Sequence, residues 1–153
     1  MKKNCLLLSL FLLALWGCDS PEKGSLDREI LTKKAFECIR NCDEEKFRLL
    51  IPGREEYERY FHLKQMDKDM FEEEYAKMRD SLSIHFQTFC SSFSELGESV
   101  YANSKGDIQK DQNVSESTLI TKIIVGEEVK KFSFNANKLN GRWYITGDFH
   151  WIQ

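Results

Sequence analysis

Residues 139–145 read Leu139-Asn140-Gly141-Arg142-Trp143-Tyr144-Ile145. An Asn-Gly pair between two runs of strand-forming residues is a strong hairpin signal, because both central positions of that tight turn need positive φ. The chain therefore closes in antiparallel strands. After the turn, residues 142–151 form an expected last strand. Trp143, Ile145, Gly147, Phe149 and Trp151 take one face, and Arg142, Tyr144, Thr146, Asp148 and His150 take the other. Before the turn, residues 128–136 alternate, with Phe132 and Phe134 set against Lys131 and Ser133. Gly126-Glu127 turns that strand back onto residues 118–125, a run rich in β-branched residues. Residues 103–117 read as a polar loop containing Gly106, and Val100 and Tyr101 mark a first strand over 98–103.

The first half has a different period. Leu31, Ala35, Cys38 and Cys42 lie four, three and four apart over an expected helix at 26–40, and Ile39 widens the stripe. Asn41 and Glu44 have capping-box spacing for a further turn, in which Phe47, Leu50 and Ile51 continue an apolar edge up to Pro52-Gly53. A short helix follows at 54–64. Asp67 or Asp69 then caps a long one, along which Phe71, Tyr75, Met78, Leu82, Phe86, Phe89 and Phe93 recur in steps of four, three, four, four, three and four. Such a stripe needs an apolar partner, and one face of the sheet supplies it. The expected fold is α+β: N-terminal helices packed on a curved antiparallel sheet of about four strands, in a single domain over 26–153.

Charge narrows the partners. The chain carries 22 Lys and Arg against 25 Asp and Glu, with no basic stripe, so nucleic acid is not an expected partner. There is no Cys-x-x-Cys and no His at ligand spacing, so neither metal nor cofactor is expected.

The N-terminus has its own reading. Met1-Lys2-Lys3-Asn4 is a small positive segment, and residues 5–16 are apolar apart from Ser9. Twelve residues are too few to span a bilayer, which takes about 20, and they match a signal-peptide core. Leu15-Trp16-Gly17-Cys18 resembles the lipobox of bacterial lipoproteins, although Trp16 is larger than that pattern prefers. The resemblance implies cleavage before Cys18, lipidation of its thiol, and a mature chain with 20 basic and 25 acidic side chains. Residues 1–17 are then a signal peptide and 18–25 a lipidated tether. The domain sits outside the cytoplasm, in the bacterial cell envelope, with inner or outer membrane left open. The alternative is a plain signal peptide or an uncleaved anchor, with Cys18 a bystander.

In an exported compartment Cys38, Cys42 and Cys90 become candidates for a disulfide. Cys38 and Cys42 are poorly placed to bond each other across one helical turn, so either would pair with Cys90. The alternative is that all three are small core hydrophobes.

The break at Asn41-Cys42-Asp43-Glu44 followed by Phe47, together with the hairpin at 139–145, resembles the nuclear transport factor two-like, cystatin-like superfamily. That resemblance implies a cone-shaped fold with a cavity between helices and sheet. It implies a binding module for a small apolar ligand, with Tyr57, Tyr60, His85, Phe86, Phe89 and Trp143 as the candidate ligand residues. The alternatives it leaves open are a protein-interaction or inhibitor module, homodimeric or bound to an envelope protein through the sheet face, and a small cavity enzyme. The enzyme would use His85 with Asp148 or a tyrosine hydroxyl, which suits proton transfer at neutral pH.

Overall fold

The computed structural model describes residues 22–111 and 114–153. The apolar leader, Cys18 and the tether up to residue 21 lie outside the described residues. The order is four α-helices and then six strands: α1 (Arg28–Asn41), α2 (Glu44–Arg48), α3 (Arg54–Leu63), a 3-10 turn (Lys68–Met70), α4 (Phe71–Leu96), β1 (Ser99–Lys105), β2 (Ile108–Asp111), β3 (Val114–Val125), β4 (Glu128–Leu139), β5 (Arg142–Ile145) and β6 (His150–Ile152). The strands form one antiparallel sheet, curled into a half-barrel, in the order β1-β3-β4-β5. β2 also pairs with β3, and β6 also pairs with β4. The fold class is therefore α+β, as expected.

Asp27 starts α1. Its carboxylate accepts from the N–H groups of Glu29 and Ile30, which would otherwise be orphaned at the helix end. The helix stops at Cys42, which adopts φ 51, a left-handed conformation that glycine or asparagine fills more readily. The expected Asn41–Glu44 capping box does not form. Asp43 caps α2 instead, accepting from the N–H of Lys46, because the left-handed residue before it redirects the chain. Asp67 caps the 3-10 turn, and α4 begins with no side-chain cap.

Two strand expectations are corrected. Residues 103–117 are not a loop: β1 runs to Lys105 and β2 occupies 108–111. β3 starts at Val114, with Asn103 opposite Lys122 and Ile108 opposite Ser117. Backbone pairing to β3 outweighs the weak strand propensity of these polar residues. The last strand is not continuous either. The N–H groups of Thr146 and Gly147 both donate to the carbonyl of Asn135, at 3.0 and 3.3 Å, so the strand bulges between β5 and β6. The facing nevertheless survives the break. Trp143, Ile145 and Phe149 are buried, and Trp151 lies opposite Phe132 and stacks on Phe89 at 5.1 Å. Asn140 and Gly141 take φ 51 and 80, as the hairpin requires.

The space between α1, α4 and the sheet is filled with rings. Phe47 stacks on Phe86 with centroids 4.3 Å apart, and Phe89, Phe93, Phe132, Phe134 and Phe149 complete the contact. Leu31, Ala35, Ile39, Leu119 and Ile123 close it from α1 and β3. α3 lies apart from this core. Tyr57 and Phe61 form a satellite cluster with Phe71 at the start of α4. Among the described residues, no helix is long and apolar enough to cross a membrane.

Candidate functional site

The six candidate ligand residues are divided among three places. Phe86, Phe89 and Trp143 are core residues, each exposed by 5% or less. Trp143 also receives Arg28 over its ring at 5.6 Å and exchanges backbone hydrogen bonds with Ser25, so it holds the N-terminal segment to the sheet. None of the five grooves found among the described residues is lined by these three side chains.

His85 lies on the outer side of α4. Its Nε2 is 3.5 Å from Asp148 Oδ2, and the two side chains are about one third exposed. Ser81 Oγ donates to Asp148 Oδ1 at 2.8 Å, and the His150 ring stands edge-on to His85 with centroids 6.3 Å apart. The carboxylate lies beside the imidazole, but among the described residues no hydrogen bond joins them to orient the ring. The serine hydroxyl is spent on the carboxylate rather than offered to the imidazole, and none of the five grooves includes these groups. Among the described residues no group of three His, Cys, Asp or Glu could hold a metal ion.

Tyr57 and Tyr60 mark the third place, and the sheet builds it. Strand alternation puts Ser117, Leu119, Phe134 and Ala136 toward the core. The intervening pairs, Glu116 opposite Asn137 and Thr118 opposite Asn135, face the other way. α3 crosses over that outer face. Between them lies a groove of about 380 Å³ lined by Tyr57, Tyr60, Gln109, Thr118, Asn135 and Asn137, together with Glu116, Ser117 and Thr146.

Three of these side chains are more than nine-tenths buried and still polar: Ser117, which accepts from Arg28, Tyr57 at 7% exposed and Asn137 at 6%. Among the described residues the side chains of Tyr57 and Asn137 have no hydrogen-bond partner, and their polar atoms stay open to the groove. Such atoms are not sealed from water, so they stand ready to exchange water for a polar ligand atom rather than strain the fold. Burial also pushes the Tyr57 hydroxyl up from its ordinary range, with Tyr60 and Glu74 adding to the rise, so it stays protonated and able to donate. Thr118 Oγ1 donates to Asn135 Oδ1 at 2.9 Å, which leaves the Asn135 amide nitrogen as a donor. Glu116 is neutralised by Lys64 at 2.7 Å.

Sequence reasoning named Tyr57 and Tyr60 as candidates but not Asn135 or Asn137, which line the same groove. A signal existed: Asn135 and Asn137 stand two apart in a strand, where asparagine is disfavoured, so they put two amides on one face.

Among the described residues, Cys38, Cys42 and Cys90 are free thiols. Cys38 and Cys90 are buried, Cys42 is exposed and donates its thiol to the carbonyl of Ile39, and Cys42 lies close enough to Cys90 to raise the Cys90 thiol. The chain matches no protein-family model, no curated protein and no solved structure. What defines it is therefore the architecture itself: an α+β half-barrel carrying a polar groove on the face opposite its core.

Proposed function

We propose that this chain is a lipid-anchored protein of the bacterial cell envelope, tethered through Cys18, whose domain at 26–153 is a binding module. We read its half-barrel as a variant of the cystatin-like cone, with the binding site moved from the cone's interior to its outer face. The ligand is small and polar rather than apolar. The interior that would hold an apolar molecule is occupied by Phe47, Phe86, Phe89 and Phe149. The single observation that carries the reading is the pair of largely buried polar side chains, Tyr57 and Asn137, that have no hydrogen-bond partner among the described residues and line the groove under α3. A bound molecule would complete their hydrogen bonds, which is how pockets use a few placed polar groups to fix a ligand.

Native mass spectrometry of the exported protein under mild activation tests this. A small molecule released from the parent and absent from the Tyr57→Phe, Asn137→Ala double variant is the expected result. Equal release from both would refute the site. Metabolic labelling with palmitate, lost in Cys18→Ala, tests the anchor independently.

A second reading rests on a different observation. Val100, Ile124 and Val129 lie directly opposite one another across β1, β3 and β4 on the outer face, exposed by 53%, 42% and 60%. Lys122 and Lys131, also directly opposed, border this row, and no carboxylate among the described residues pairs with them. Like charges facing each other cost stability, and the core does not need exposed β-branched residues. This end of β4 lies about 33 Å of strand from Leu139, beside which the tether joins the sheet at Trp143. It therefore points away from the anchor, toward a partner protein with an apolar, acidic surface. A crosslinker placed at Val129 should give a discrete adduct that Lys122→Glu with Lys131→Glu abolishes. An unchanged adduct would rule the surface out.

A further inference from the structure

The groove's chemistry narrows its ligand class, an inference that rests on the groove being the binding site. Among the described residues, the only ionic side chain that lines it is Glu116, already paired with Lys64. No described arginine or lysine lines it, so a phosphate or carboxylate would be desolvated there without a counter-charge. A cation would meet a carboxylate already satisfied. The ligand is therefore uncharged.

Hydrogen-bonding capacity narrows the class again. The amides of Asn137 and Gln109, the Asn135 amide nitrogen and the Thr146 and Tyr57 hydroxyls offer donors and acceptors side by side. An amide presents a donor and an acceptor a short distance apart. Neighbouring ring hydroxyls present the same alternation, because each hydroxyl both donates and accepts. A peptide backbone would prefer a free strand edge, whereas these groups lie on a sheet face whose backbone is already paired between β3 and β4. Shape agrees with a ring. Tyr60 supplies a half-buried aromatic wall, its centroid 5.6 Å from that of Tyr57. The apolar C–H face of a sugar ring packs on such a wall while its hydroxyl edge reaches the amides. The volume, about 380 Å³, is at the small end of ligand pockets.

We infer that the groove between α3 and the outer face of β3–β4 binds a neutral saccharide, its ring against Tyr60 and its hydroxyls paired with Asn137, Asn135 and Tyr57.

The test is nuclear magnetic resonance on the full chain carrying Cys18→Ser, nitrogen-labelled and held in mild detergent. Maltotriose, cellotriose and the N-acetylglucosamine trimer are titrated to millimolar concentration. A control set of uncharged non-sugars, acetamide and N-methylacetamide among them, is run beside them. Saturable shifts of the Asn135 and Asn137 side-chain amide signals with at least one saccharide are the expected result. Tyr57→Phe, which keeps the ring and removes only the hydroxyl, should weaken that binding about tenfold. Shifts at these signals with the control set but with no saccharide would overturn the saccharide inference and leave the groove standing. Shifts with neither set would overturn both. Saccharide binding that Tyr57→Phe and Asn137→Ala leave unchanged would place it elsewhere and refute the assignment.

Discussion

Truncating Phe86 to alanine separates a filled cone from one that holds an apolar guest. Phe86 is 2% exposed, and its ring lies 4.3 Å from that of Phe47 at an interplanar angle of 15°. Losing a fully buried phenylalanine forfeits about 2 kcal/mol of transfer free energy. If roughly 80 Å³ stays open afterwards, about 24 cal/mol per Å³ adds about 2 kcal/mol more. The stacked pair contributes a further ~0.5 kcal/mol. The expected loss for Phe86→Ala is therefore about 4 kcal/mol, which for a chain of this length lowers Tm by roughly 12 °C. Urea denaturation of the full chain with Cys5→Ser and Cys18→Ser, compared with and without the substitution, reads it directly. A loss below about 1.5 kcal/mol, with the m-value unchanged, would refute the reasoning. It would mean that Phe86 already borders open space, and an apolar ligand inside the cone would become the better reading.

Thr121 is fully buried with its hydroxyl unpaired among the described residues, so Thr121→Val should stabilise the fold by about 1 kcal/mol, read by calorimetry. A loss instead would mean that the hydroxyl has a bound partner. Asp27→Ala removes two hydrogen bonds from the start of α1 and should cost about 1 kcal/mol in the same denaturation assay. The thiols should differ in reactivity. Burial pushes the Cys38 thiol up to about 11 and the Cys90 thiol up to about 12, Cys90 also through the neighbouring Cys42. Only a thiolate alkylates, and a raised value keeps the thiol protonated through neutral pH. At pH near 8 iodoacetamide should therefore label exposed Cys42 and spare the other two until the chain unfolds. Exposure of the protein to glutathione disulfide should join Cys42 to Cys90, a loss of two hydrogens by mass with a peptide map assigning the bridge. A Cys38–Cys90 bridge would refute this pairing.

The two halves of the fold were legible for different reasons. α4 was readable because its buried face repeats with the helix's own period from Phe71 to Phe93, so no distant residue is needed to see it. The Asn140-Gly141 turn was readable because its backbone demands positive φ at two consecutive residues. β2 and the ends of β1 and β3 were not, because Gln109, Lys110, Ser115 and Glu116 have no strand preference of their own and become strand only through pairing. The bulge at Thr146 and Gly147 was hidden for the same kind of reason, since it depends on a single carbonyl, that of Asn135, across the ladder.

The site divides in the same way. Sequence by itself determined the α+β class, the shared facing of Trp143, Ile145, Phe149 and the more exposed Trp151, and the candidacy of Tyr57 and Tyr60, because periodicity and side-chain chemistry are local properties. Only the tertiary structure decided that Phe86, Phe89 and Trp143 fill the core while Tyr57 and Tyr60 face a polar groove on the other side of the sheet. Strand alternation says which residues share a face, but not which face a helix will cover. That choice is made when the chain passes the β5 edge, where the N–H of Ile145 donates to the carbonyl of Leu50 and α3 is carried over Asn135 and Asn137.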